Sequence, residues 1–149
     1  MLTARRIVET GWDGLVSILD EGGYTRYDFS TADKLLEISG RLEKLYKGDL
    51  TRLHDKSKDS RDLEDRLKGL GKGIGDTTVS IFLRDMRGVW VKADSKPSPL
   101  VRSAMEKLRI RDLKQYAAEA GIDVVRLETA LLKYAKDFVR KGVALNLVP

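Results

Sequence analysis

Apolar residues recur along this chain at the three- and four-residue spacing of an α-helix, and no stretch alternates apolar and polar positions over the length of a strand. Leu35, Leu42 and Tyr46, for example, fall on one face of a helix that ends near Gly48. Similar segments follow one another with short breaks at glycine or proline. The pattern predicts an all-α fold, a compact bundle of about seven to nine short helices.

Capping residues and helix breakers place the limits of these helices. Ser30 followed by Asp33 resembles a capping box and is expected to open the helix that ends near Gly48. Ser98 followed by Pro99 is a typical helix start, and residues 88–97 before it are predicted to be a loop. The other predicted helices run from Trp12 to Asp20, from the cap Ser60 to the glycines that begin at 69, from Asp76 to Met86, from Arg111 to Ala120 and from Asp123 to about Arg140.

At 149 residues the chain is long enough for one domain with its own core, and we expect residues 1–149 to form a single helical domain. It contains no cysteine, so this chain alone can build neither a thiolate zinc site nor an iron–sulfur cluster. Its one histidine, His54, is too few for a metal cluster. We therefore expect no cofactor and no metal site.

The net charge of +5 is unevenly distributed, with −1 over residues 1–60, +2 over 61–96 and +4 over 97–149. An excess of basic groups suits a polyanionic partner such as nucleic acid. The chain shows neither a signal-peptide pattern nor the run of about 18 apolar residues that a membrane span requires. We therefore expect a cytoplasmic protein without membrane contact.

The most informative stretch runs from about residue 63 to residue 87 and places Gly73, Ile74 and Gly75 between two helices. The glycines permit a tight turn whose backbone approaches a ligand closely, while Ile74 anchors the turn in the core. The N–H groups of the turn and of the next helix form an anion site that suits a DNA phosphate; the alternative is a turn without a ligand. The residues predicted to contact DNA are Lys72, Gly73, Ile74, Gly75, Asp76, Thr77, Thr78, Arg84, Arg87 and Lys92.

This stretch resembles the helix-hairpin-helix motif of the endonuclease III class of DNA glycosylases: an apolar helix, Gly, an apolar residue, Gly, two variable residues, Thr and a second apolar helix. The matching positions are Gly73, Ile74, Gly75, Thr78, Val79, Ile81, Phe82 and Leu83. Another Gly-Leu-Gly lies at 69–71, but only the later triplet is followed by Thr-Thr-Val and an apolar helix. The family's catalytic aspartate follows the second helix, where this chain has Asp94. The resemblance covers roughly residues 10–105 and implies base-excision repair.

Two features depart from that family. Members that also cleave the strand carry a nucleophilic lysine where this chain has Thr77, so a Schiff base cannot form there. Members without the lysine rely on the aspartate to stabilise positive charge on the deoxyribose, which is the role the resemblance gives to Asp94; a cap is the alternative. Only residues 1–11 precede the first predicted helix, so we expect much of the family's base pocket to be missing.

Three functions remain open from the sequence. The first is a module that binds double-stranded or damaged DNA through its phosphate backbone, without sequence specificity. The second is a monofunctional DNA N-glycosylase that uses Asp94, its pocket completed by a partner subunit or by a second copy of the chain. The third is a helical interaction domain that keeps the hairpin only as an element of the fold. Whether the protein is an enzyme therefore stays open.

Overall fold

The computed structural model describes residues 2–94 and 96–139, and that part of the chain is all-helical. A short π-helical turn, Ala135–Val139, continues the last α-helix. The α-helices are α1 (Ala4–Glu21), α2 (Asp28–Tyr46), α3 (Leu50–Lys56), α4 (Ser60–Lys68), α5 (Asp76–Met86), α6 (Pro99–Lys107), α7 (Leu113–Ala120) and α8 (Val124–Tyr134). The predicted all-α bundle is confirmed, and the number of helices falls within the predicted range.

Helix α1 begins eight residues before the predicted start at Trp12 and is kinked. Thr3 caps it by accepting a hydrogen bond from the Arg6 N–H at 3.2 Å. At Gly11 the backbone has φ 69° and ψ 177°, a conformation that glycine adopts without strain. The segment before Gly11 escaped the prediction because a glycine is typical of a break between helices.

Helix α2 begins at Asp28, so the predicted cap formed by Ser30 and Asp33 is wrong. The residue in the N-cap position is Tyr27, whose side chain makes no capping bond. Ser30 Oγ instead donates to the Tyr27 carbonyl at 3.1 Å. Asp33 accepts a hydrogen bond of 2.9 Å from the indole N–H of Trp12 on α1. A contact with a neighbouring helix therefore takes the carboxylate that the local pattern assigned to a cap.

The other helix limits lie close to the predicted ones, with two corrections. Helix α5 has the predicted bounds, and Ser98 caps α6 as expected. The cap of α4 is Asp59 rather than Ser60. Helix α3 was missed altogether, because its seven residues show too little of a helical repeat. The predicted end of the last helix near Arg140 lies outside the described residues.

Two clusters of buried apolar side chains hold the described helices together. The first is built by α2 to α5 and the loop after α5, and it includes Leu42, Leu53, Leu63, Leu83 and Trp90. The second is built by α6, α7, α8 and the π-helical turn, and it includes Val101, Ala104, Leu113, Leu131 and Ala135. Each helix from α2 to α8 thus places its apolar face in one of the two clusters.

Charged side chains join the two clusters. Arg87, which follows α5, forms an ion pair with Glu128 on α8, and only 8% and 6% of their side chains are exposed. Lys114 on α7 forms a second, exposed ion pair with Asp94, 2.7 Å long. No helix in the described part of the chain is both long enough and apolar enough to cross a membrane.

Candidate nucleic-acid interface

The turn between α4 and α5 is fastened to α2 by close packing and by two hydrogen bonds. Gly71 is buried against α2, where a Cβ would lie 2.8 Å from Ile38 Cγ1. The Arg41 guanidinium donates to the Gly69 carbonyl at 2.8 Å, and Glu37 accepts from the backbone N–H of Lys72 at 3.0 Å. The earlier Gly-Leu-Gly is therefore a point of close helix packing, and the backbone bends outward only after it.

The second glycine pair forms the exposed part of the turn. Gly73 has φ +91°, in the region that favours glycine, and Ile74 packs against the first core as predicted. Gly75 is the N-cap of α5, with an extended backbone at φ −96° and ψ −177°. No atom lies within 4 Å of a Cβ built on Gly75, so the space in front of the helix is open.

Helix α5 differs from most helices of the described chain in the way its first turn is capped. Serine, threonine or aspartate side chains accept a hydrogen bond from the first turn of six of the eight α-helices. Gly75 provides no such acceptor for α5, and its own carbonyl accepts the Val79 N–H at 3.0 Å. The N–H groups of the first turn of α5 are thus available to an external acceptor.

A salt bridge crosses the entrance to this helix end. Lys68 Nζ, at the last residue of α4, lies 2.5 Å from the carboxylate of Asp76 on the first turn of α5. This hydrogen bond raises the pKa of Lys68. Asp76 is 91% exposed, so the pair is solvated and opens at little cost. A phosphate that enters can replace the Asp76 carboxylate as the partner of Lys68.

A cleft of about 690 Å³ brings the start of α5 together with the candidate catalytic residue. Asp76, Thr77, Ser80 and Asp94 are among the residues that line it. Eighteen positions of sequence separate Asp76 from Asp94, and the chain returns to the cleft because α5 is followed by the loop that carries Trp90 into the first core. Thr77 and Asp94 therefore line the same cleft.

The surroundings of Asp94 are polar and open. Half of its side chain is exposed, and its carboxylate is paired with Lys114. A carboxylate that works on a developing cation gains most from a dry site in which it is the nearest charge. Among the described residues no group of three or more histidine, cysteine or acidic side chains is placed to hold a metal ion.

Three of the basic residues that the sequence assigned to DNA have structural partners. Arg87 belongs to the buried ion pair with Glu128, so a phosphate would reach it only if that pair broke; its assignment to DNA is corrected. Arg84 is mostly buried and binds Asp85 at 2.8 Å, and this hydrogen bond raises its pKa. Lys92 Nζ donates to the His54 carbonyl at 2.9 Å and caps the end of α3.

The cations beside the turn and the cleft come from other elements. Lys72, in the turn itself, is exposed. The Lys34 side chain, on α2, passes 3.5 Å from a Cβ built on Gly73. Arg61, Lys68 and Lys96 line the cleft. The sequence pattern did not single out the residues on α2 and α4, because their place beside the turn depends on helix packing.

The turn from Lys72 to Gly75 is thus exposed for most of its length and leads into the first turn of α5, with cations beside it and a cleft that Asp76 and Thr77 line. This chemistry suits an anionic ligand at the start of α5. It also leaves three carboxylates, those of Glu64, Asp76 and Asp94, facing the cleft. Comparisons of the sequence with protein-family models and with curated proteins, and of the fold with solved structures, find no match.

Proposed function

We propose that this protein binds double-stranded DNA, including damaged DNA, through its phosphate backbone and without sequence specificity. The observation that carries the proposal is the start of α5, where Gly75 leaves the first-turn N–H groups without a side-chain acceptor. A phosphate accepts those hydrogen bonds and is favoured by the positive end of the helix. The partner is DNA, and a role in repair in the cytoplasm stays a prediction from the resemblance to endonuclease III-like glycosylases.

Cations beside the turn support this choice of ligand. Lys72 and Lys34 lie next to Gly73, and Lys68 stands across from the first turn of α5. Each cation that neutralises a phosphate releases a counterion, so the affinity falls as salt rises. Contacts of this type hold the backbone of DNA and carry no base information. The expected behaviour is therefore a salt-dependent affinity with little preference between duplex sequences.

The test is a titration of a labelled duplex across a salt series with two matched glycine variants. Gly75→Glu places a carboxylate at the start of α5, where the backbone accepts a side chain without strain. Gly88→Glu adds the same charge at a second open glycine, which lies beyond the far end of α5, about 20 Å from Gly75 at the helical rise of about 1.5 Å per residue. We expect Gly75→Glu to weaken binding at least tenfold and Gly88→Glu to stay within about threefold of the wild type.

The slope of log affinity against log salt measures the contacts directly. A slope of about −3 corresponds to three or four neutralised phosphates, at about 0.9 per contact. Loss of binding by both variants, or by neither, would contradict a phosphate site at the start of α5. If the wild-type protein fails to bind at low salt, the third alternative, a helical interaction domain, takes its place.

A second candidate function is hydrolysis of the N-glycosidic bond of a damaged nucleotide. It is favoured by one observation, the cleft shared by Thr77 and Asp94. In such a reaction the bond from C1′ to the base breaks, the base leaves with a proton, and water supplies the hydroxyl at C1′. Asp94 would stabilise the positive charge on the sugar after the base has left and before water adds at C1′. Thr77 provides no amine, so this reaction leaves the strand intact.

Asp94→Asn separates the two functions, because it removes the charge and keeps the shape. An enzyme should lose turnover on a duplex with a damaged base and keep its affinity for that duplex, whereas a binding protein should show no base release before or after the change. Asp94 is half-exposed and its ion pair with Lys114 is solvated. The variant should therefore lose less than about 1 kcal/mol of stability. Lys114→Gln breaks the same pair and serves as the control.

A further inference from the structure

Helices α7 and α8 are joined by a turn of three residues that begins at Gly121. Gly121 has φ 65° and ψ 29°, in the left-handed region that favours glycine. The backbone N–H of Ile122 donates to the Ala117 carbonyl at 2.9 Å. The side chain of Asp123 caps α8 by accepting from the Arg126 N–H at 2.9 Å. Local hydrogen bonds therefore fix both the end of α7 and the start of α8.

Both helices of this pair bury one face in the second apolar cluster. Ala117 of α7 and Leu127 and Leu131 of α8 are at most 8% exposed. Glu128 lies on the same buried side, where it is held by the ion pair with Arg87. Because Glu128 is the one carboxylate between the first and the last residue of α8, the opposite side of this helix carries no acidic group.

The outer face of α8, as we define it, consists of Arg126, Thr129, Ala130 and Lys133, which are all exposed. Their spacing of three and four residues places them on one side of the helix. Neither cation forms an ion pair with another described residue. The π-helical turn that follows adds one cation and one carboxylate. A cation in the first turn is disfavoured by the helix dipole, so helix stability does not explain Arg126.

Charge and shape select double-stranded DNA as the partner of this face. The two cations lie about 10 Å apart along the helix axis, and the side chains between them, Thr129 and Ala130, are small. The helix can therefore approach a polyanion closely. The major groove of DNA is about 12 Å wide and admits an α-helix. Protein interfaces, in contrast, are usually centred on large apolar side chains, which this face lacks.

We propose that α7 and α8 act as a helix-turn-helix that places the outer face of α8 in the major groove of double-stranded DNA. In such pairs the N-terminal residues of the second helix meet the base edges. Arg126 is the side chain of this face that suits a base, guanine, whereas Lys133 suits a phosphate. With a single base-reading side chain, the contact adds affinity and selects the groove but gives little preference between sequences.

This surface differs from the site of the proposed function. None of its four side chains lines the cleft beside α5. The two surfaces share DNA as their ligand, but contact through the outer face of α8 does not require a phosphate at the start of α5. Each surface can therefore be removed by substitution without the other.

The test is a titration of a labelled duplex with two matched alanine variants. Ala130→Glu places a carboxylate on the outer face of α8, and Ala118→Glu adds the same charge at an exposed position of α7. Ala118 lines a groove beside Arg87 to which the outer face of α8 does not contribute. Glutamate is a good helix former, so both variants should keep the fold, which circular dichroism checks. We expect Ala130→Glu to weaken binding about tenfold or more and Ala118→Glu to stay within about threefold of the wild type.

Methylation by dimethyl sulfate locates the contact on the duplex. The reagent modifies guanine N7, which faces the major groove, and adenine N3, which faces the minor groove. A saturating amount of the wild-type protein should lower the N7 methylation of a short duplex by about half or more and leave N3 unchanged. Arg126→Gln, added until the duplex is again saturated, should lose most of the N7 protection.

Three results would overturn the proposal. They are an Ala130→Glu variant that binds as the wild type does, equal losses in the two alanine variants, and guanine N7 that stays fully reactive under saturating protein. Normal binding by Gly75→Glu together with a loss in Ala130→Glu would remove the phosphate site of the proposed function and leave the α8 surface standing. The reverse pair of results would remove the α8 surface and leave the phosphate site in place.

Discussion

The buried ion pair between Arg87 and Glu128 leads to the prediction with the largest expected effect. The two side chains are 8% and 6% exposed, and they connect the loop after α5 with α8. The perturbation is Glu128→Gln, which keeps the size of the side chain and removes its charge. The Arg87 guanidinium then stays buried beside a neutral amide. We expect this single change to cost more stability than any surface charge substitution in the protein.

The magnitude follows from the burial of the pair. Removing one partner of a buried ion pair costs about 3–5 kcal/mol, because the remaining charge is left in a poorly solvated position. A domain of this size has a total stability of about 5–15 kcal/mol. The loss is therefore a large part of the total. With a urea dependence of about 2 kcal/mol per molar, a loss of 3 kcal/mol lowers the unfolding midpoint by about 1.5 M.

The assay is urea unfolding followed by far-UV circular dichroism and by tryptophan fluorescence. Trp90 lies in the first core, so its emission reports on the cluster that holds Arg87 in place. Glu9→Gln is the matched control, since it removes the same charge from the exposed Arg5–Glu9 pair. Exposed pairs of this kind contribute less than about 1 kcal/mol. The two variants should therefore differ by at least 2 kcal/mol.

A double variant tests the cause of the loss. Arg87→Met with Glu128→Leu removes both charges and fills the space with apolar side chains, and replacement of this kind is often neutral or stabilising. The double variant should recover most of the stability that Glu128→Gln loses. If Glu128→Gln and Glu9→Gln unfold at the same urea concentration, Arg87 is hydrated in solution. Its earlier assignment to DNA would then be open again.

Three further predictions concern the turn, the end of α3 and an acidic group. Gly73→Ala should lose about 1–2 kcal/mol in thermal or urea unfolding because φ is +91° there, whereas Gly75→Ala should lose nothing measurable; equal losses would contradict this assignment of strain. Lys92→Ala should lower the stability by about 1 kcal/mol with little change in DNA affinity, because Lys92 bonds the end of α3. Lys96→Ala should weaken DNA binding with little change in stability, because Lys96 lines the cleft. Binding and unfolding measured on the same samples will decide between these outcomes. The pKa of Asp62 is lowered by hydrogen bonds from the Lys58 backbone and from Arg66, so its contribution is complete above the ordinary pKa of 3.8 and is lost as the pH falls through the lowered value. Unfolding of Asp62→Asn should therefore differ from that of the wild type at pH 6 and converge with it in strong acid, and a difference that persists there would contradict the ionic origin.

The sequence by itself determined the secondary structure wherever a helix was long and its ends carried strong local signals. Helix α5 has the predicted bounds, because glycines precede it and its apolar positions repeat over three turns. Ser98 caps α6, and Asp123 caps α8, through hydrogen bonds within four residues of sequence. Interactions of such short range depend only on neighbouring residues, so the sequence predicts them without knowledge of the fold.

Tertiary structure decided which polar groups are free to bind a ligand. The sequence predicts that Asp33 caps a helix, but its carboxylate accepts a hydrogen bond from the indole N–H of Trp12, 21 residues away. The sequence predicts that Arg87 is a surface cation, but in the structure it forms a buried ion pair with Glu128, 41 residues away. Local propensity carries no information about such partners. Which cations remain near the turn therefore depends on how the helices pack.

The candidate site shows the same division. The glycines at 73 and 75 identified the turn, because backbone conformation and an uncapped helix start are local properties. The cleft that both Thr77 and Asp94 line required α5 and the following loop to fold back against the first core. Tertiary structure alone decided which apolar side chains stay exposed, among them Tyr24, Tyr27 and Val91. The residue type is the same whether the side chain is buried or exposed.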